Sequence, residues 1–196
     1  MPVNRLKGKL RAALEMPETL PSMRRYFVNT MFDATFVMLG IIIGSALSSE
    51  PRLEIIITTL VTSAIALSIS TGTSVYEAET LEQRRRIEEI GRAMLTPVRD
   101  TSIGRTSKMS INLISMVNSM APLVAGAVTI TPFLLISEKD IDLAAEVSVV
   151  LAITMLFLTG YFMGRSSKGN PLLKGARMAV IGLAAFAICY IIGGAV

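Results

Sequence analysis

Long stretches without charge constrain this chain of 196 residues more than any other feature. Only 17% of its residues are charged, against about 25% in an ordinary soluble domain, and the charges are confined to a few segments. A helix needs about 20 apolar residues to cross the hydrocarbon core of a bilayer. Five stretches meet this requirement, at residues 26–47, 55–75, 109–136, 143–163 and 172–196. The sequence therefore predicts an all-α polytopic membrane protein of five transmembrane helices, with one membrane domain over residues 26–196.

The distribution of basic residues predicts the orientation of the chain. A basic segment, residues 1–25, precedes the first span, and a helical loop over residues 76–108 follows the second. With five spans, all but Arg52 and Lys139 of the 19 Lys and Arg residues fall on one side of the membrane. Because Lys and Arg concentrate in cytoplasmic loops, we expect a cytoplasmic amino terminus and a non-cytoplasmic carboxyl terminus. Topology thus explains the basic residues, and we expect no nucleic-acid partner.

Missing residue types exclude several kinds of site. The chain has no histidine, and its one cysteine, Cys189, lies inside an apolar run. These absences remove the Ser-His-Asp triad, thiolate clusters, and most zinc and haem sites. No nucleophile has a nearby base, so we expect neither an enzyme nor a resident cofactor. A metal would have to use carboxylate, hydroxyl, carbonyl, water or thioether ligands.

Asp33 is the most informative residue of the first span. A carboxylate inside a membrane costs roughly 3 kcal/mol on insertion scales, so it should face protein or water. The same helical face carries Gly40 and Gly44, a GxxxG pair that lets two helices approach closely. Asp33 is therefore a candidate metal or proton site, facing its own copy in a dimer. The alternative is an aspartate that caps the helix or reaches the cytoplasmic headgroups.

Polar side chains follow the second span into the loop after it. Ser70, Thr73 and Glu77 continue a stripe along one helical face, which lines a hydrated cation path or allows close helix packing. Glu77, Glu79 and Glu82 lie nearest the mouth of the membrane, where they could collect cations. The alternative for most of this loop is a solvated helix with salt bridges between residues four apart.

The third span carries two further candidates. Met116 and Met120 are spaced by one helical turn. Thioethers bind soft or borderline cations, but methionine is also a common core filler. Pro122 and Pro132 either free backbone carbonyls, which transporters sometimes use as ligands, or simply kink the helix.

Three parts of the chain together point to a known family. The stretch FDATFVMLGIIIGSAL has an Asp, a Leu-Gly pair and a spaced Gly, PLLKGARMAVIGLAAFAICYIIGGAV ends the chain, and the third span contains two prolines. They resemble, in order, the first, last and middle helices of the vacuolar iron transporter (VIT) family, which has prokaryotic members. In the second span, SISTGTSVYE departs from the family pattern SM-x-x-GE. Ile69 and Thr73 replace its Met and Glu, and residues 76–108 are a reduced form of the family's metal-binding insertion.

The resemblance implies a homodimer of five-helix subunits in the cell membrane of a prokaryote. Asp33 would match the family's intramembrane metal-binding aspartate, with Gly40 and Gly44 at the dimer contact. We therefore expect proton-coupled export of Fe²⁺, or of Mn²⁺, from the cytoplasm. The candidate translocation path comprises Asp33, Ser70, Thr73, Glu77, Glu79, Glu82, Met116 and Met120. The departures at Ile69 and Thr73 leave open a non-transporting membrane scaffold or partner protein that keeps the fold.

Overall fold

The long elements of the chain are all α-helices. A computed structural model describes residues 8, 10–46, 51–96, 101–136, 140–166 and 169–193, and no strand occurs in these ranges. The five long helices are α1 (Thr19–Ala46), α2 (Leu53–Met94), α3 (Ser102–Leu135), α4 (Ile141–Ser166) and α5 (Pro171–Gly193). Each is long and apolar enough to cross a membrane, which confirms the prediction of five spans.

Prolines stand at the beginnings of two helices. Pro21 lies in the first turn of α1, where the N–H that proline lacks would have no partner within the helix. Pro171 is the first residue of α5, and the side chain of Asn170 caps this helix by accepting a hydrogen bond from the N–H of Leu172 at 3.2 Å. A short helical segment over residues 10–14 precedes α1.

The second helix is much longer than a membrane span. Its 42 residues extend about 63 Å, roughly twice the thickness of the hydrocarbon core. The helix ends at Met94, and the next residue, Leu95, has a φ of 52°. The N–H of Thr96 bonds to the carbonyl of Gly91 at 3.1 Å, and that of Leu95 to the carbonyl of Arg92 at 3.3 Å. This is the Schellman arrangement, in which glycine is the usual left-handed residue.

The helices contribute to two compact units. The first unit contains Met1–Phe27 and Ile69–Met120, and the second contains Val28–Ser68 and Ala121–Val196. The first three long helices each contribute residues to both units, whereas α4 and α5 belong to the second.

The second unit has an apolar core. Its buried members are Met38, Ile42, Ile56, Leu60, Ala64, Ile130, Phe133, Ala144 and Ala145. A smaller cluster joins Leu39 on α1 to Ala152 and Leu156 on α4. A Cβ added at Gly126 on α3 would lie only 2.6 Å from the Cβ of Ala64 on α2. Small side chains thus bring the backbones together, as is common where membrane helices pack.

Helices α4 and α5 also pack through glycines. A Cβ at Gly160 would lie 2.9 Å from the backbone oxygen of Lys174, and a Cβ at Gly164 would lie 2.6 Å from the Cα of Pro171. Both neighbours are backbone atoms, which cannot move aside as a flexible side chain can. Gly160 and Gly164 therefore form a GxxxG pair that is used within the chain.

The first unit is joined by a polar seam between α2 and α3. Ser107 donates a hydrogen bond to Oε1 of Gln83, and Ser115 donates one to the backbone carbonyl of Gly72, both at 2.7 Å. A Cβ at Gly72 would lie 2.9 Å from the Cβ of Ser119, so the two helices are in close contact here. Hydrogen bonds of this kind supplement van der Waals packing between membrane helices.

Further polar contacts attach the start of α1 to the same unit. The hydroxyl groups of Thr19 and Ser110, both buried, lie 2.6 Å apart in a hydrogen bond. Glu18, just before α1, forms an ion pair with Arg86 on α2. Residues of α2 and α3 therefore share polar contacts with the amino-terminal part of the chain: Arg86 lies beyond the predicted second span, and Ser110 lies at the start of the predicted third span.

Candidate translocation site

Asp33 lies on the exposed side of α1. In the second unit, Met38 and Ile42 on the opposite side of the helix are fully buried. Asp33 and Val37 are exposed, and the exposed side continues toward the carboxyl end of the helix. We call this side the α1 stripe; it consists of Asp33, Val37, Gly40 and Gly44. The arrangement confirms that the carboxylate shares a face with the GxxxG pair.

The glycines of the α1 stripe are not packed against another helix in the part of the chain that the structure describes. A Cβ added at Gly40 or Gly44 would meet nothing within 4 Å in the described residues. At Gly160 and Gly164, the same motif is in close contact with the backbone of α5. One GxxxG pair therefore packs within the subunit, whereas the other is open to a partner outside it.

The three glutamates of α2 that are candidates for the path, Glu77, Glu79 and Glu82, differ in their surroundings. Glu77 and Glu82 are exposed, but Glu79 is only 5% exposed. The carboxylate of Glu79 lies close to the hydroxyl of Tyr26, and the guanidinium of Arg25 lies 5.0 Å from the centre of the Tyr26 ring. Within the described ranges of one chain, no group of three acidic or thiol side chains is arranged to hold a metal ion.

The hydroxyl groups proposed for the path lie away from the packed side of α2. Ser70 and Thr73 are exposed, in line with Glu77. The opposite side of the helix, which includes Gly72 and Gln83, is buried against α3. Among the described residues, Ser70, Thr73 and Glu77 therefore do not lie on the side of α2 that packs against α3.

The two candidate methionines of α3 also point outward. Met116 is 68% exposed and Met120 is 52% exposed, so neither fills the core of a single subunit. Helix α3 continues through Pro122 and Pro132, both of which are buried. A proline cannot donate to the carbonyl four residues earlier, so the carbonyl of Asn118 lacks that helical bond.

Two features of the first unit were not predicted from the sequence. One is the polar seam, whose Ser107, Ser115 and Gln83 were not singled out. The other is a cavity between α2 and α3 that Arg84 and Lys108 help to line. The seam had a detectable signal, since small polar residues recur along α3 at helical spacing. The cavity had none, because it depends on how far two helices diverge.

Five membrane-length helices, one with a carboxylate on its exposed side, define an integral membrane protein. Residues 92–194, just over half of the chain, match the model of the VIT family, and the chain belongs to this family. The chain is also similar to uncharacterized protein MJ0645 of the archaeon Methanocaldococcus jannaschii. The two are 25% identical over 171 residues, which cover 86% of this chain and 87% of that protein.

Family membership indicates the general activity. Members of the VIT family are transporters rather than enzymes, and the family indicates a membrane metal-ion transporter. The matched region contains α3, α4 and α5, together with the end of α2. The similarity to the archaeal protein is consistent with a short member of prokaryotic type. The loop between α2 and α3 is short here because both helices extend into it, as far as Met94 and from Ser102.

Proposed function

We propose that this protein exports Fe²⁺, or alternatively Mn²⁺, from the cytoplasm in exchange for protons, as a homodimer in the cell membrane of a prokaryote. The metal is the transported substrate in this proposal, and no resident cofactor is required. The observation that carries the proposal is the position of Asp33 on the α1 stripe, beside two glycines at which an added Cβ would meet none of the described residues within 4 Å.

The cost of an exposed intramembrane carboxylate supports the dimer. A charge facing lipid costs roughly 3 kcal/mol on insertion scales. Pairing two copies through Gly40 and Gly44 would remove Asp33 from lipid and bring the two helices close together. The dimer axis would then pass between two Asp33 carboxylates.

Two carboxylates at one axis provide a physical basis for exchange. Like charges at short distance disfavour simultaneous ionisation, so the Asp33 pair would retain a proton when no metal is bound. A divalent cation stabilises both ionised carboxylates and would displace that proton. Loading with metal and release of a proton would therefore be coupled at the same residues.

The other candidate residues suggest the direction of movement. In this proposal Glu77, Glu79 and Glu82 collect cations at the cytoplasmic mouth. The hydroxyl groups of Ser70 and Thr73 and the thioethers of Met116 and Met120 then line a hydrated route for the cation. The predicted non-cytoplasmic side carries the exposed carboxylates Glu54, Asp140, Asp142 and Glu146, which would attract the departing cation.

A flux experiment tests the proposal directly. Wild-type protein, Asp33→Asn and the control Glu89→Gln would be reconstituted in proteoliposomes, since Glu89 is an exposed carboxylate outside the proposed path. Uptake of Fe²⁺ and Mn²⁺ would be followed across a pH gradient together with the lumenal pH. We expect coupled flux in the wild type and the control, and none in Asp33→Asn.

Two results would contradict the proposal. Flux that survives Asp33→Asn would remove this residue from the mechanism. Absence of flux of either ion through wild-type protein that is folded and dimeric would favour the scaffold function, in which the fold is kept without transport.

A further inference from the structure

A cavity of about 940 Å³ lies in the first unit between the end of α2 and the start of α3. Its walls include Tyr76 and Thr96 on the α2 side and Gly104 and Asn112 on the α3 side. Tyr76 and Asn112 are within one helical turn of the predicted span ends at residues 75 and 109. The inner end of the cavity is therefore expected at the depth of the lipid headgroups.

The charges that line this cavity are mostly positive. Arg84, Arg92 and Lys108 contribute three cations, and Glu88 contributes one carboxylate. Arg84, Glu88 and Arg92 follow one another at intervals of one turn on the same face of α2. Within the described part of the chain, none of these four side chains forms an ion pair. The cavity thus has excess positive charge that its own residues do not neutralise.

The cavity also has an apolar wall. Ile87 and Ile111 line it, and Ile111 is buried. The walls therefore suit a molecule with an anionic part and an apolar part.

We propose that this cavity binds a phosphate-bearing anion. Arginine donates paired N–H groups that match phosphate oxygens, and lysine adds a point charge. Basic pockets at the cytoplasmic ends of membrane helices suit lipid headgroups. The apolar wall and the large volume favour the phosphate of a phospholipid over free phosphate, because inorganic phosphate would leave most of the cavity empty. The positive charge repels divalent cations, which makes this site separate from the proposed metal path.

The test measures binding of phosphatidylglycerol and of inorganic phosphate to the full-length protein. Purified protein in neutral detergent would be titrated with fluorescent phosphatidylglycerol, with phosphatidylcholine for comparison, and radiolabelled phosphate would be added in equilibrium dialysis. The cavity variant combines Arg84→Gln, Arg92→Gln and Lys108→Gln. The matched control removes three exposed cations outside the cavity, through Arg24→Gln, Arg85→Gln and Arg105→Gln.

We expect wild-type protein to bind phosphatidylglycerol in preference to phosphatidylcholine. The cavity variant should lose about tenfold or more in affinity, since hydrogen bonds to charged groups are strong, whereas the control should change by about twofold at most. Glu88→Gln removes the one opposing carboxylate and should tighten binding. This gain in affinity cannot result from a damaged fold. Binding of phosphatidylglycerol alone identifies a lipid as the source of the phosphate, and displacement by inorganic phosphate identifies the free anion.

Other results would overturn the inference. Equal losses in the cavity variant and the control would indicate general attraction between a basic surface and an anion. Unchanged affinity in the cavity variant, from protein that elutes as wild type does in size-exclusion chromatography, would show that the cavity does not hold phosphate. An unchanged or weakened affinity in Glu88→Gln would contradict the electrostatic argument.

Discussion

Substituting alanine for Gly164 tests the close packing of α4 against α5. The added Cβ would lie 2.6 Å from the Cα of Pro171, while carbon atoms in contact are about 3.5–4.0 Å apart. The helices must therefore separate by roughly 1 Å at this point. Strain of this kind typically costs about 1–3 kcal/mol.

The matched control is Gly40→Ala, in the same motif on α1. Both variants are compared as monomers in dilute detergent solution, because Gly40 lies at the proposed dimer contact. Among the described residues of one chain, a Cβ at Gly40 would meet nothing within 4 Å. Replacing glycine by alanine in a helix is favourable by about 1 kcal/mol, and this gain is common to both variants. The difference between them should therefore equal the strain, so that Gly164→Ala is about 1–3 kcal/mol less stable than Gly40→Ala.

The assay measures thermal unfolding in detergent. Samples are heated to a series of temperatures, and size-exclusion chromatography gives the fraction that remains folded at each one. In a chain of this size each kcal/mol corresponds to about 2–4 °C in Tm. We therefore expect Gly164→Ala to unfold several degrees below Gly40→Ala. Equal unfolding temperatures would refute the reasoning, because they would mean that α4 and α5 do not approach as closely as described.

Three further predictions concern assembly, the end of α2 and orientation. In a Cys189→Ser background, Val37→Cys should form a disulfide between two copies on oxidation. The control Val180→Cys, which is exposed on α5, should not. Equal cross-linking at both positions would contradict a dimer through the α1 stripe. Leu95→Gly should raise the free energy of unfolding by about 1 kcal/mol, since Leu95 is left-handed and 93% exposed, and a lower Tm would contradict this. Alkaline phosphatase fused to the carboxyl terminus should be active on intact cells, whereas an inactive fusion that is fully expressed would reverse the predicted orientation.

The five spans could be predicted because hydropathy is a local property. Each apolar run exceeds the length that a bilayer requires, so its identity does not depend on the neighbouring helices. The face shared by Asp33, Gly40 and Gly44 could be predicted for a similar reason, since helical periodicity alone places residues three and four apart on one side. The extension of α2 beyond the membrane also followed from its paired charges.

The surroundings of individual side chains could not be predicted in this way. Glu77 and Glu79 are two residues apart on α2, yet one is exposed and the other is buried beside Tyr26. The residue beside Glu79, Tyr26, lies more than 50 residues earlier in the chain. Met116 and Met120 could have filled a core, and only the packing of α3 shows that they do not.

The sequence by itself determined the class of this protein, its five membrane-crossing helices and the side of α1 that carries a carboxylate. These follow from composition and from the period of the helix, which act over a few turns. Only the tertiary structure decided that Gly160 and Gly164 pack within the subunit while Gly40 and Gly44 do not, although both pairs obey the same spacing. It also brought Arg84 and Lys108 to one cavity. Such features depend on distances between residues that are far apart in the chain, and a linear pattern does not contain those distances.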